Sequence, residues 1–439
     1  MAGASRSTRI AGRLRTKMSS GAGLLNRSGQ SGGAPPPGRP DVAPRWAHRG
    51  LGAASILVAV VALITATSGP GAVSSTLADK PEAPPPPQAV VAIQSGTTTP
   101  INPATPINVA VQHGTLQNVQ VTDTKTGKKI DGQLAADSAS WGTTVGLSYA
   151  DSYQIDATAI GPDHQVVHQT GTITTIKPAI QAYPSFIPAP SQNNVGVGQP
   201  LVVKFDHPVT DKAAAEKALT VTSSPEQAGG WYWISPSEVH YRPQVYWQPN
   251  TTINLTANMF GVDLGKGTFG ETNRSETVKV HDSWIAKADG KSETMNIYQN
   301  GNLVKTMPIS LGSAKYPSHV GPHIVSDKQP TMTMDSCTYG VCEGQAGYYK
   351  EKVDQDVRIS NDGEFVHSAP WSTGQQGDSN VSHGCVNLSP ANAKWFFDHF
   401  NVGDVVEITN SGGPPLPVYD TYGDWEPTWD QWQAGSAVH

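Results

Sequence analysis

The sequence predicts a mainly β protein: two β-sandwich modules in series, then a mostly-β third domain with one short helix and a C-terminal extension. Three observations carry that expectation. Between about residue 89 and residue 280, short stretches with apolar residues at every second position alternate with turn residues, in two blocks of about ninety residues each. From 281 to 410 the same alternation recurs in Met295-Asn296-Ile297-Tyr298 and Val405-Val406-Glu407-Ile408. Helix-start signals stand out in one place, where Ser389 precedes Pro390.

Taken in order, residues 1–50 hold nine Lys or Arg and one acid, Asp41, among Gly, Ser, Pro and Ala. That composition cannot bury a core and predicts a basic, disordered leader. Residues 51–68 are uncharged and centre on Ile56 to Ile64. Eighteen residues at about 1.5 Å each just span a bilayer core of roughly 30 Å. The basic flank puts the leader in the cytoplasm and everything after Ser68 outside. The alternative is a cleaved export signal with Ala66 near the cut. Either way the main body is extracytoplasmic, and a lipid-modified cysteine anchor is excluded because no cysteine precedes Cys337. Residues 69–88 end in a Pro81-to-Pro87 run, an extended spacer.

The two modules are expected at 89–180 and 181–280, with Tyr153 to Ala159 and Thr252 to Asn258 as their clearest strands and the segment Pro184 to Pro190 as the seam. Neither contains a cysteine, so packing alone must hold them. In the third domain, 281–410, Ser389 is the expected N-cap and Pro390 the first helical residue. The helix then runs from Ala391 to Phe400, and Asn401-Val402-Gly403 stops it. In the extension, 411–439, Trp425, Trp429 and Trp432 recur at helical spacing. The expectation is a stripe packed on a neighbouring domain rather than a sugar platform.

The chain carries a net charge of −6 and the leader +8, which leaves about −14 on the exported part. A nucleic-acid partner, which needs a basic face, is therefore not expected.

Chemistry concentrates in Ser382-His383-Gly384-Cys385-Val386-Asn387-Leu388 and, 15 residues before Ser382, in His367 of the run Phe365 to Trp371. Of three cysteines, Cys337 and Cys342 are close enough to pair, which leaves Cys385 as the odd thiol. Most free cysteines are buried small hydrophobes. A glycine neighbour, two histidines and an oxidising location favour a nucleophile instead. Its thiol needs a lowered pKa, and an imidazole in reach can take the proton and return it to a leaving amine. His367, on a strand-like run ending at Pro370, is the better base, and His383 stays open as a second. Gly384 leaves the backbone amides beside the nucleophile free to approach a substrate oxyanion.

Zinc is the competing chemistry: Cys337, Cys342, His367 and His383 offer four ligands, and His319-x3-His323 two more. Gly321-Pro322, however, breaks any helix that would align those two histidines. Outside the cell a disulfide across the Thr338-to-Val341 turn is the expected fate of the cysteine pair. No metal and no cofactor are expected. A papain-like protease is disfavoured because there the cysteine precedes the histidine. A non-catalytic wall-binding protein would not need Cys385, His367 and Gly384 intact.

With these residues in view, 281–410 resembles the catalytic domain of bacterial L,D-transpeptidases. From about Ala89 onward the layout resembles the mycobacterial type, with two immunoglobulin-like modules and a Trp-rich extension. The motif is a His, an interval, then Ser-His-Gly-Cys, one residue and Asn; here it reads His367 … Ser382-His383-Gly384-Cys385-Val386-Asn387. The resemblance implies that Cys385 attacks a peptidoglycan tetrapeptide stem and expels D-alanine. His367 would act as base and acid, oriented by the Ser368 carbonyl, and amides of His383-Gly384-Cys385 would form the oxyanion hole. The acyl group would pass to a diaminopimelate amine of a neighbouring stem, giving a 3→3 cross-link; a carboxypeptidase passing it to water is the alternative. Similar enzymes also bind carbapenems at the cysteine. By position, Met334, Tyr339 and Tyr349 fall in the lid over the donor site, and Trp371 and Asn387 line or brace it. Two departures from the family are Cys337 with Cys342, which would stiffen the lid, and Pro322-His323 after Gly321.

Overall fold

The computed structural model describes residues 86–94, 100–420 and 422–438. The expected leader 1–50, the membrane segment 51–68 and most of the spacer 69–88 lie outside the described residues. Among the described residues no helix is long and apolar enough to cross a membrane.

The first module is a pair of four-stranded sheets. One orders Val90–Gln94, Asn108–Gln112, Ser140–Thr143 and Gly132–Leu134; the other orders Lys129–Ile130, Thr115–Asp123, Ser152–Ile160 and Val166–Thr174. Strand alternation sends Tyr153, Ile155, Ala157 and Ala159 inward, where they meet Val109, Val121 and Trp141.

The second module follows the same plan. Pro184–Ile187, Leu201–Phe205, Glu238–Pro243 and Gly229–Ser235 face a sheet built on Thr252–Asn258 and Asn273–Val280. Ile253, Leu255 and Ala257 point into its core. The segment expected as a seam instead forms an edge strand: Pro184 pairs with Phe205 and Ile187 with Val202. Proline is tolerated there because it opens the strand on the sheet's edge, where no neighbour asks for its missing N–H.

The second module's core does not stop at the third domain. Ile324, Val405 and Tyr422 belong to the same apolar cluster as Val195, Leu201 and Trp247. Backbone joins the two as well, since the Gly196 N–H donates to Val402 O (2.9 Å) and the Gly198 N–H to Gly403 O (2.9 Å). A Cβ on Gly196 would meet Asp404 N at 2.2 Å, so only glycine permits this approach.

The tryptophan stripe is broken by Pro427. Trp425 ends a 3-10 turn, Gly423–Trp425, and the helix Trp429–Gln433 starts afresh from a Thr428–Gln431 capping box. All three indoles nevertheless gather on the second module. Their ring centroids lie 4.7, 5.5 and 4.5 Å from the Arg242 guanidinium, which also donates to the carbonyls of Asp424 and Pro427.

The third domain combines two sheets and one helix. A five-stranded sheet runs Asn302–Pro308, Thr294–Gln299, Trp284–Asp289, Val405–Thr409, Gly321–Ile324. A four-stranded sheet runs Asp327–Asp335, Lys350–Arg358, Phe365–Ser368, Val386–Leu388. The helix Pro390–His399 is capped by Ser389, whose side chain accepts the Asn392 N–H. Phe396 and Phe400 are fully buried beside Met295, Ile297, Val366 and Val386. At roughly 2–3 kcal/mol per buried aromatic, this packing pins the strand that leads out of the Ser382-to-Cys385 loop.

Candidate active site

Two short parallel strands assemble the reactive groups. Phe365–Ser368 pairs with Val386–Leu388 so that Val366 faces Val386 and His367 faces Asn387. Side chains two residues apart share a face, so His367, Asn387 and the side chain of Cys385 come to one side of the sheet. The loop that delivers the cysteine is tied down by the segment that follows the strand Asn302–Pro308. Ser382 N–H donates to Leu311 O (3.0 Å), Ser313 N–H to Ser382 O (2.9 Å), and Asn387 N–H to Ser310 O (2.9 Å).

Cys385 is 7 % exposed, within an apolar group that includes Met334, Val353 and Phe365. It is not sealed there. Cys385 lines a pocket of about 280 Å³ together with His367, His383, Met334, Tyr349, Trp371 and Asn387. The predicted nucleophile, both histidines and four of the five predicted substrate contacts therefore share one opening. The fifth, Tyr339, belongs to the 3-10 turn Ser336–Tyr339.

The imidazole of His367 is buried, and its Nδ1 lies 3.0 Å from the Ser368 carbonyl. A carbonyl only accepts, so Nδ1 carries the hydrogen and Nε2 keeps its lone pair. Burial pulls this imidazole down to about 4, against smaller upward pulls from the Ser368 carbonyl and Asn387. It is neutral, and able to accept a proton, across the physiological range. Asn387 is braced in turn, its Nδ2 donating to Ser372 Oγ (3.1 Å).

The thiol departs from the expectation of a lowered pKa. Desolvation pushes Cys385 up to about 12, with Glu364 and Asp356 adding to the rise; the Phe365 N–H and Arg358 oppose it. Its Sγ sits 3.7 Å from Gly363 O, and among the described residues no hydrogen bond joins it to His367. The resting pair is thus a neutral thiol and a neutral imidazole rather than a thiolate and an imidazolium. The sequence shows a His and a Cys but not the low dielectric around them, and burial disfavours both charged forms.

Of the three amides expected to hold an oxyanion, one is already engaged. Gly384 N–H donates to Ser382 Oγ (3.1 Å), and Ser382 Oγ in turn donates to Cys385 O (2.7 Å). Among the described residues the N–H groups of His383 and Cys385 have no hydrogen-bond acceptor. Gly384 is needed for its backbone instead: its φ of +123° is a conformation that side chains rarely adopt. His383 is exposed, its ring 4.7 Å from that of Tyr316 and 5.3 Å from that of Tyr349.

Cys337 and Cys342 form a disulfide, which removes both sulfurs from any metal. His319 and His323 converge without a helix, because Gly321–Ile324 is a strand. His319 Nδ1 lies 3.2 Å from Glu364 Oε1, and His323 Nε2 lies 3.1 Å from Glu364 Oε2. The two imidazoles, with the His319 N–H, hold Glu364 down at about 2 despite its burial. Glu364 and Ser318, which touches Gly384 from behind, escaped the sequence reading. A lone Glu after Gly363 and a lone Ser after Pro317 carry no local signal.

Two families of known proteins match parts of the chain. The bacterial Ig domain family matches residues 98–263, and the L,D-transpeptidase catalytic domain family matches residues 283–408. L,D-transpeptidase 2 of Mycobacterium tuberculosis (strain CDC 1551 / Oshkosh) is 41% identical over 332 residues, 76% of this chain and 81% of that protein. L,D-transpeptidase 5 of Mycobacterium tuberculosis (strain ATCC 25618 / H37Rv) is 33% identical over 363 residues, 81% of this chain and 78% of that protein. A solved structure of LD transpeptidase LdtMt1 in complex with imipenem is 35% identical, covering 53% of this chain and 100% of that chain with a TM-score of 0.47.

Proposed function

We infer the details of the reaction from one premise: the chain belongs to the L,D-transpeptidase family. It is an acyltransferase that cross-links peptidoglycan outside the cytoplasm. In the reaction proposed here a tetrapeptide stem enters the pocket and its third-residue carbonyl approaches Cys385 Sγ. As the C–S bond forms, the thiol proton moves to His367 Nε2, and the N–H groups of Cys385 and His383 hold the tetrahedral oxyanion. Imidazolium then returns the proton to the departing amine, the C–N bond breaks, and D-alanine leaves a thioester behind. The side-chain amine of diaminopimelate on a second stem attacks that thioester, His367 takes its proton, and Cys385 is released to be reprotonated. The product is a 3→3 cross-link.

One observation carries this reading: Cys385 and a base-ready His367, its Nδ1 committed to Ser368 O, face the same pocket. The high thiol pKa fits a proton transfer made as the carbonyl arrives, since attack relieves the cost of a buried anion by spreading charge onto the oxyanion donors. Carbapenems offer an acyl carbon to the same sulfur and are proposed as covalent inhibitors. Met334 and Tyr349, which line the pocket, are proposed as donor contacts, and Tyr339 as a lid residue. Residues 51–68 are proposed as the membrane anchor, with 1–50 cytoplasmic.

The test is incubation with defined tetrapeptide stems. A cross-linked dimer is the expected product; tripeptide alone would mean transfer to water. Cys385→Ala is expected to lose the acyl adduct entirely, and full activity in that variant would refute the mechanism.

A further inference from the structure

Building on the acyl-transfer reading, we propose that Ser318 is a positioning residue that aims the Cys385 N–H at the developing oxyanion. Ser318 is fully buried on the loop ahead of Gly321–Ile324, far in sequence from the nucleophile. Its Oγ accepts the Gly312 N–H at 3.0 Å and donates to the Gly384 carbonyl at 2.6 Å. Gly312 N can only donate, so the hydroxyl hydrogen is left for Gly384 O, and the direction of both bonds is determined.

That second bond sets the plane of the peptide joining Gly384 to Cys385. A trans peptide is planar, with its C=O and N–H on opposite edges. Holding the carbonyl toward Ser318 therefore turns the Cys385 N–H the other way, and among the described residues nothing accepts from it. Gly384 N–H is consumed by Ser382 Oγ, so among the described residues the Cys385 amide is one of two, with that of His383, that the His383-Gly384-Cys385 stretch leaves without an acceptor.

The tie matters because the peptide follows glycine. Gly384, at φ +123°, has access to far more backbone conformations than any other residue would, and its carbonyl can swing unless something restrains it. Ser318 supplies the restraint from a fixed point. Its own carbonyl accepts from Ser411 Oγ at 2.6 Å, and the next N–H, that of His319, donates to Glu364 Oε1 at 2.8 Å. Glu364 also lies directly behind Gly384: a Cβ placed on that glycine would be 3.4 Å from Glu364 Cγ.

Removing a direct oxyanion donor costs roughly 10²–10³ in kcat. Misaiming one through its neighbour should cost less, about 10- to 100-fold. The experiment compares two reactions of the same sulfur in the full chain. Acylation by a tetrapeptide donor or a carbapenem passes through an oxyanion, whereas alkylation by iodoacetamide does not. For Ser318→Ala the expected result is acylation slowed about 10- to 100-fold, mainly in kcat, with alkylation changed by less than about twofold. Ser318→Thr restores the hydroxyl and the rate, while Ser318→Val, of the same shape without it, does not; this pair decides the matter if the alanine variant fails to fold. Parallel loss of both reactions, or acylation at the wild-type rate in Ser318→Val, overturns the proposal. Failure of the wild-type chain to form any acyl adduct would instead overturn the acyl-transfer reading itself.

Discussion

If Cys385 rests as a buried thiol, raising the pH should speed its alkylation without any plateau in the physiological range. An ordinary cysteine has a pKa near 8.5, so about a tenth is thiolate at pH 7.5. With Cys385 pushed up to about 12, its thiolate fraction at that pH is about 10^-4.5, or roughly 10^3.5 lower. A more basic thiolate is a better nucleophile; a Brønsted coefficient of about 0.45 over this difference restores roughly 10^1.6. Iodoacetamide should therefore modify Cys385 about 100-fold more slowly than glutathione at pH 7.5. The rate, followed by intact mass, should climb about tenfold per pH unit from 6 to 10. Glutathione will level off above its own pKa over the same span. No inflection is expected near 6.5, because His367 is already neutral above about 4. A plateau beginning between pH 6 and 8 would mean a thiolate–imidazolium pair at rest, and the account of proton transfer upon carbonyl arrival would fail.

The other expectations draw on the same contacts. Acylation in the wild type should stay level with pH through neutrality and fall only as His367 protonates near 4. His367→Ala should lower it about 10²- to 10⁴-fold in stopped-flow measurements, and an unchanged rate would remove this residue as the base. Glu364 titrates below its ordinary range in the folded protein, at about 2. Its stabilising contribution is thus complete above about pH 4.5 and shrinks as pH falls toward 2. Glu364→Gln should cost about 3 kcal/mol at pH 7, with a Tm gap to wild type that narrows as the pH is lowered from 5; a constant gap would argue against the His319–Glu364–His323 charge cluster. Non-reduced peptide mapping should recover Cys337 joined to Cys342, and reductant should change the rate of Cys385 acylation without abolishing it. Free thiols at both positions in the native exported protein would end the stiffened-lid idea.

Much of the architecture was written in local pattern. The inward set Tyr153, Ile155, Ala157 and Ala159 follows from a two-residue period, and the helix Pro390–His399 begins where Ser389 and Pro390 say it should. These signals need only nearest neighbours, so they survive any tertiary context. The seam expected at Pro184 did not survive, because whether an apolar run containing proline becomes a strand depends on a partner, here Leu201–Phe205. The tryptophan stripe likewise kept its packing role while losing its single helix, since Pro427 breaks the turn and Arg242 regathers the rings.

The site divides along the same line. Residue types and spacing determined that a cysteine and two histidines would meet, because chemistry of this kind leaves few substitutes for a thiol nucleophile and an imidazole base. Only the folded chain decided which amide each carbonyl and hydroxyl would claim, and therefore that Ser382 takes the Gly384 N–H while Ser318 takes its carbonyl. It also decided the protonation of the pair. Charge in a low-dielectric pocket answers to every group packed around it, and Glu364, Asp356 and Arg358 reach Cys385 through space rather than along the chain.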